Sequence, residues 1–302
     1  MNENIQGWIN LYKPLGISSF RALKKIKKKF NLNKIGHAGT LDPRAEGILP
    51  IALNKTTKLI EFLNSNKKKY YFIIKWGEET STDDSEGEVL KKSNKIPNVQ
   101  EIKKTINKFL GETYQIPPKA SAVKIKGKRA YQMFRSQKTF QLEEKKVFLE
   151  SISLIKTKNS LSQFCIECGK GFYVRSLARD IAHKLDTYGH IIELKRTKVG
   201  NFNKNTSILL DDLLKIGQSE FEFNFIHSAI SMLDDILAYE IEDKNDLKNL
   251  SLGKSIFINN QKLIRKPLNS DKKERVFLSN NGNIISVGKL SGNLFQPNKV
   301  LI

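Results

Sequence analysis

GHAGTLDPRAEGILP, residues 36–50, has neither helical nor strand periodicity, yet it holds His37, Asp42 and Glu46 among three glycines and two prolines. That punctuation marks a functional loop with short strands beside it. The glycines let a ligand or a neighbouring backbone approach closely. Pro43 biases Asp42 toward an extended backbone, which fixes the direction of its carboxylate. Leu41, Ile48 and Leu49 make the surroundings apolar, and a shielded carboxylate takes a partner or its pKa climbs. Read without its neighbours, Asp42 is an ordinary turn aspartate.

Upstream, GWINLYK (7–13) alternates loosely and predicts a strand closed by Pro14 and Gly16. Ser18 or Ser19 then caps a helix over 20–30, with Phe20, Leu23, Ile26 and Phe30 on one stripe. Arg21, Lys24, Lys25, Lys27, Lys28 and Lys29 occupy its other face. Downstream, 55–63 predicts a helix, and YYFIIKWG (70–77) is a β run rich in branched and aromatic residues. TSTDDSEGE (80–88) predicts a loop whose acids, Asp83, Asp84, Glu86 and Glu88, lack metal-ligand spacing and read as solvated. Val99, Ile102, Ile106, Phe109 and Leu110 predict the inward face of a helix over 99–112, ended by Gly111.

IPPKASAVKIKGKRAYQMFRSQ (116–137) is basic with interleaved aromatics and has no period before a short helical stretch near Ala130, so it reads as an arm. Strands over 147–156 and 161–168 follow, then a helix from Tyr173 with Leu177, Ile181 and Leu185 inward, then a strand in IIELKRTKVGNF (191–202). Helices are expected over 207–214 and 225–237. Beyond a boundary near 235–250, short β runs between Asn-Gly and Ser-Gly turns predict a compact all-β module.

The chain has 302 residues, enough for roughly two domains. Lys plus Arg number 52 against 31 Asp plus Glu, a net charge of +21. Only 9 of the 52 are Arg and Asn is abundant, so part of the excess is compositional bias. Even so, such a charge attracts nucleic acid. No apolar run approaches the ~18 residues of a membrane helix. The opening MNENIQGWIN lacks a secretory pattern, and two cysteines exclude a disulfide scaffold, so the expected setting is the cytoplasm, away from any membrane. Cys165 and Cys168 form C-x-x-C on a β run, where i and i+3 point to opposite faces, and no metal site is expected.

Taken together, these stretches resemble one family. GHAGTLDPRAEGILP is similar to the catalytic motif of the TruB family, the tRNA pseudouridine-55 synthases. NKTTKL (54–59) resembles the family's next conserved stretch, with Lys58 in the matching place. KKKYYFIIKWG (67–77) resembles its Tyr-containing strand, here with Tyr70. CGKGFYVRSLARD (168–180) carries the Tyr-x-Arg, Tyr173 and Arg175, and HIIELKRT (190–197) the later Leu motif at Leu194. The five segments stand in the family's order over roughly residues 5–215.

The resemblance implies an α+β fold: a large mixed, mainly antiparallel sheet flanked by helices, with a small C-terminal all-β PUA-like domain. It implies a catalytic domain over 1–237, with a basic RNA-binding arm at about 116–145, and the PUA-like RNA-binding domain over 238–302. The implied activity is isomerisation of uridine 55 in the TΨC stem-loop of tRNA by a monomer with no cofactor and no metal. The N1–C1′ bond breaks, the uracil turns, and it reattaches through C5. Asp42 is the implied nucleophile, on the base or on C1′. The alternatives are a non-catalytic RNA binder and a guide-RNA-dependent synthase.

Physical need fits the implied roles. Departure of uracil leaves oxocarbenium-like charge on the ribose, which only an ionised carboxylate can stabilise or trap. A guanidinium beside a partly buried carboxylate favours that ionised form, which is the role implied for Arg175; a phosphate contact is its other reading. Tyr70 is implied to stack on the uracil and help remove the C5 proton, and Tyr173 and Leu194 to line the pocket. The base must be everted from its stack, and His37 is implied to brace the vacated space.

Overall fold

The structure is a computed structural model describing residues 5–65, 67–217, 224–233, 237–259, 261–266 and 275–301. In chain order, β1 (Gly7–Lys13), α1 (Ser19–Lys29), β2 (Ile35–His37) and β3 (Ala45–Leu53) are followed by 3₁₀ turns over Asn54–Ser65. Then come β4 (Lys68–Trp76), β5 (Glu78–Thr80), β6 (Val89–Lys92), α2 (Val99–Ile106) and β7 (Gly111–Gln115). β8 (Lys124–Ile125), β9 (Lys128–Arg129) and α3 (Ala130–Arg135) form the arm, followed by β10 (Lys145–Lys158), β11 (Leu161–Cys168), α4 (Val174–Lys184) and β12 (Gly189–Val199). The remainder comprises β13 (Phe202–Asn203), β14 (Ile208–Leu209), α5 (Leu210–Lys215), β15 (Ile226–His227), β16 (Leu237–Glu240) and α6 (Lys244–Ser251). Last are β17 (Ile256–Phe257), β18 (Lys262–Arg265), β19 (Val276–Asn280), β20 (Asn283–Ser291) and β21 (Leu294–Val300).

The chain divides into two compact units. One comprises Met1–Leu41, Ile48–Ser65 and Gly200–Ile302. In it, β1 lies between β3 and β14, with β2 on the other flank of β3. Ser18 caps α1, its hydroxyl accepting from the Arg21 N–H. Ala22, Leu23, Ile26 and Phe30 turn inward, but Phe20, expected on that stripe, is 74% exposed. Ser19 takes the inward place, where its hydroxyl donates to the Leu41 carbonyl at 2.8 Å and accepts from the Leu41 N–H at 2.9 Å. The expected α-helix over 55–63 is a run of 3₁₀ turns. There the Thr57 hydroxyl takes the Asn54 carbonyl (2.7 Å), a local bond that competes with α-helical pairing, and Thr56 Oγ1 accepts from the distant Gly7 N (2.8 Å).

The helix expected over 225–237 is likewise absent from the described part: β15 pairs with β1, residues 229–232 make a single 3₁₀ turn, and 234–236 lie outside the described residues. β1 accounts for the departure: Trp8 and Ile9 pair with His227 and Ile226, and the Trp8 indole N–H donates to the Ala229 carbonyl at 2.9 Å. The second sheet of this unit runs β17-β21-β20-β19-β16-β18. Leu237, Ile241, Leu250, Ile256, Val276, Leu278 and Phe295 pack its core, and Leu250 comes from α6, so among the described residues the tail carries a helix beside its strands.

The other unit comprises Asp42–Gly47 and Asn66–Val199. Its sheet runs from the first residues of β3 through β12, β4, β11 and β10 to β7. Every pairing is antiparallel except that of β12 with β3. β4 alternates inward and outward, and Phe72 stacks on Phe164 of β11 with centroids 5.3 Å apart. Asn98 and Glu101 form a reciprocal cap on α2, which buries Ile102 and Ile106. Val99 and Leu110, expected inward, are exposed: Val99 is in the first turn, and the chain tightens to 3₁₀ at Asn107–Phe109, which turns Leu110 out.

The parallel pairing sets Leu194 opposite Ala45, Lys195 opposite Glu46 and Arg196 opposite Gly47. Gly47 has φ +113°, and a Cβ there would lie 2.1 Å from the Arg196 carbonyl oxygen. Gly47→Ala is therefore expected to destabilise the fold by about 3 kcal/mol. Thermal melting reads this, and an unchanged midpoint would contradict the close approach of β3 to β12.

Candidate active site

Asp42 ends the glycine-rich loop, where Pro43 follows it and its own carbonyl accepts from Ala45 N at 3.0 Å, so the carboxylate is held just before β3 begins. Arg175 is the second residue of α4, and its side chain is only 6% exposed. A guanidinium has five N–H donors and no acceptor, so burial obliges it to find oxygens. Nη2 lies 3.0 Å from Asp42 Oδ2 and donates to the Ala120 carbonyl at 3.1 Å. Nη1 meets Asp84 Oδ2 at 3.2 Å and the Thr82 carbonyl at 3.0 Å. The Asp84 side chain is 9% exposed, whereas that of Asp42 is 37% exposed. Arg175 is thus the buried backing, and Asp42 is the carboxylate left open to an incoming molecule.

The acidic turn is not the solvated loop that its composition predicts. Thr82, Asp83 and Asp84 are buried, and Asp84 Oδ1 accepts from the Thr82 hydroxyl and from Glu86 N. Three side chains one turn apart on α4, Arg175, Arg179 and His183, meet Asp84, Asp83 and Glu79 in register. Arg179 Nη1 lies 2.8 Å from Asp83 Oδ2, and its Nη2 donates to the Ile116 carbonyl at 2.9 Å. Burial pushes the Asp83 carboxyl up to about 6, against the pull of Arg179. Burial raises Glu79 too, but His183 and Lys91 outweigh it and hold that acid below its ordinary value. The spacing 175, 179, 183 was the one sequence signal that could have flagged these acids. Glu86 and Glu88 do remain exposed, and Glu86 reaches Arg44 at 3.4 Å.

The base of the arm joins the same helix. Gln115 clamps Tyr173, accepting from its N–H at 3.0 Å and donating to its carbonyl at 3.3 Å, and Ser176 Oγ donates to the Ile116 carbonyl at 2.8 Å. Beyond, Lys126 and Gly127 make the tight turn between β8 and β9, both at positive φ. Lys119, Lys124, Lys126, Lys128, Arg129 and Arg135 are all exposed, and Arg135 lies over the Tyr131 ring at 5.8 Å.

An open cleft is lined by Asp42, Arg44, Asp84, Arg175, Ile191 and Leu194. Leu194, on β12, thus joins Asp42 and Arg175. Tyr70, on β4, is 7% exposed; burial pushes its hydroxyl up, while Arg196, directly opposite on β12, and the field of Asp42 act in opposite senses. Burial also raises the hydroxyl of Tyr173, with Arg175 opposing. His37 belongs to the other unit, where it ends β2 opposite Ile51. Lys58, in that same unit, donates to the Val300 carbonyl at 2.6 Å. Arg196, 1% exposed, escaped the sequence reading, since a lone arginine in a strand carries no spacing signal.

Cys165 and Cys168 are free thiols, and burial pushes that of Cys168 up to about 12. Among the described residues no group of three or more His, Cys, Asp or Glu is gathered to hold a metal, and no helix is long and apolar enough to cross a membrane.

Residues 27–174 match the N-terminal domain of the TruB family pseudouridylate synthases, and residues 175–238 match the tRNA pseudouridylate synthase B C-terminal domain. A tRNA pseudouridine synthase B from Sinorhizobium medicae is 38% identical over 98% of this chain and 96% of its own length. The chain belongs to the TruB family. A namesake from Wolbachia pipientis is 45% identical over 70% of this chain and 60% of that protein. Among solved structures, a Cbf5–Nop10–Gar1 complex gives a TM-score of 0.72 at 24% identity, covering 98% of this chain and 85% of the other, a likeness of fold. The TruB architecture, a large mixed sheet with flanking helices and a separate C-terminal sheet, is therefore the fold of this chain.

The raised Asp83 carboxyl has a measurable consequence. The folded chain keeps this proton up to about pH 6, whereas the unfolded chain, at the ordinary 3.8, has already lost it. The native state thus binds more protons between those values, and the contribution of Asp83 to stability falls as pH rises. Relative to Asp83→Asn, wild-type stability is expected to drop by about 2 kcal/mol between pH 4 and pH 7. Urea unfolding at both pH values reads this; a difference that grows with pH would put the Arg179 pair in control instead.

Proposed function

We propose that this TruB-family chain converts uridine 55 of the tRNA TΨC arm to pseudouridine, acting as a cytoplasmic monomer with Asp42 as the nucleophile. The observation that carries the reading is the Asp42 carboxylate, open to a cleft, with the buried Arg175 guanidinium 3.0 Å behind it. Curated relatives aligned over nearly the whole chain bear the name tRNA pseudouridine synthase B.

In the proposed reaction an everted uridine enters the cleft. The N1–C1′ bond breaks, its electron pair leaves with the uracil, and positive charge builds on the ribose. A fixed anion at this point stabilises the transition state more than the ground state, and this is what lowers the barrier. Asp42 either traps C1′ or adds to the base; both courses need the same ionised oxygen within reach. The turned uracil bonds to C1′ through C5, the C5 proton leaves and N1 gains one, so the atoms balance without oxidant or reductant. Tyr70 stacks on the base and handles the C5 proton, Tyr173 and Leu194 bound the pocket, and His37 braces the space left in the RNA.

Binding is assigned to the arm, about residues 116–145, and to the C-terminal sheet over 238–302, read as a PUA-like RNA-binding domain beside a catalytic domain over 1–237. The exposed cations and the half-buried Tyr131 and Phe134 of the arm suit phosphates and unstacked bases.

Asp42→Asn is expected to abolish tritium release from tRNA labelled at uridine C5, with tRNA affinity kept within about tenfold, because one carboxylate supplies little binding energy. A transcript altered at position 55 is the control, and full turnover by the Asn variant would remove Asp42 from its role. Lys126→Ala is expected to weaken tRNA binding and to reduce the slope of log affinity against log salt by about one. An unchanged slope would mean that this residue meets no phosphate.

A further inference from the structure

Arg196 is the least expected charge in the molecule. It sits mid-strand in β12 and is 1% exposed. The antiparallel pairing with β4 places it directly opposite Tyr70, and direct antiparallel partners project to the same face of a sheet. Leu194, two residues away, shares that face and lines the cleft. Behind Arg196, the side-chain-free approach of Gly47 ties the strand to the segment that follows Asp42.

We propose, resting on the isomerase reading above, that Arg196 is a positioning residue that fixes the Tyr70 hydroxyl and thereby sets how Tyr70 meets the everted uracil. The guanidinium has only N–H groups, so toward this cross-strand neighbour the phenolic oxygen can act only as an acceptor. The phenol's own hydrogen is then turned away from Arg196, and the anchored oxygen fixes the direction of the ring's long axis. The fixed cation also favours whatever negative charge the oxygen acquires when a proton is passed. The charged and titratable groups facing Tyr70 are Arg196 from β12, Cys168 from β11 and Asp42 from the loop, with Lys68 two residues earlier on its own strand. Of these, burial and Arg196 together hold the Lys68 amine down at about 8, and the Cys168 thiol is held neutral by burial. Arg196 therefore keeps its positive charge throughout, whereas Lys68 loses its own above about pH 8.

The test is a double-mutant cycle on single-turnover tritium release from tRNA labelled at uridine C5, using Arg196→Gln, Arg196→Lys, Tyr70→Phe and the Arg196→Gln/Tyr70→Phe pair. Arg196→Gln is expected to slow isomerisation by about 100-fold and Arg196→Lys, which keeps the charge but not the fork, by about tenfold, with tRNA affinity unchanged. In the Tyr70→Phe background the Gln substitution should cost less than about threefold, because its acceptor is already gone. Losses that multiply across the cycle would overturn the proposal, since a residue that merely fills the sheet acts independently of the Tyr70 oxygen. Where Tyr70→Phe leaves no measurable rate, the pH profile decides. In a Lys68→Met background, which removes the amine that Arg196 also holds down, the alkaline limb of the Arg196→Gln enzyme should lie about one unit higher than that of its Arg196 parent, and an unmoved limb overturns the role. Wild-type protein that releases no tritium would overturn the isomerase reading and this role with it, whereas multiplying losses in an active enzyme overturn only the role of Arg196.

Discussion

A guanidinium removed from water must be met by oxygens on every side that carries a proton, or the fold that buries it does not hold. Arg175 is met by two carboxylates and two backbone carbonyls, and each comes from a different stretch of chain or a different residue of one: Asp42, Thr82, Asp84 and Ala120. The loop, the acidic turn and the base of the arm are therefore fastened to the first turn of α4 through a single side chain. Breaking any one contact leaves part of a buried cation uncompensated, so the cost of the change is felt at all of the others. The same bonds that stabilise this region fix the exposed carboxylate in place.

The sheet supplies the second constraint. β12 carries Leu194 into the cleft and Arg196 onto Tyr70 because its register against β3 and β4 is set residue by residue. A slip of one position would turn both side chains to the opposite face. Gly47 makes the register strict, since no larger residue allows the backbones to come so close. Precision at the site thus comes from strands and from the start of a helix, with the glycine-rich loop held between them.

Much of this was readable from residue order alone. The glycines and prolines marked 36–50 as a loop beside short strands, the helical spacing after Tyr173 placed α4, and the β run containing Tyr70 formed as expected. The failures share a physical cause. Asp84 and Arg175 stand 91 positions apart, so local composition described the acid as solvated when a distant cation had already claimed it. Arg196 went unnoticed for the same reason, its partner being on another strand. Phe20 was placed inward because hydropathy ranks it above serine, yet the buried position went to Ser19, whose hydroxyl answers both polar groups of Leu41. At 225–237 the pattern looks helical, and pairing of 226–227 with β1, with the Trp8 indole bond to Ala229, takes that part of the chain out of an α-helix. Period and composition see what a segment prefers; they do not see what a remote partner requires.

The turn between β5 and β6 carries a constraint of another kind. Asp83 and Asp84 are consecutive, with Cα atoms about 3.8 Å apart, yet they address successive turns of α4, which rise about 5.4 Å each. The backbone manages this by placing Asp83 in the left-handed region, φ 60°, so that neighbouring carboxylates diverge. Inserting or deleting one residue between Glu79 and Asp84 would move both acids out of phase with Arg179 and Arg175 together. The exposed Ser85, Glu86 and Glu88 are free to drift in identity, whereas the length of the segment before them is frozen. Variation among sequences of this lineage should therefore accumulate there as substitutions and not as gaps.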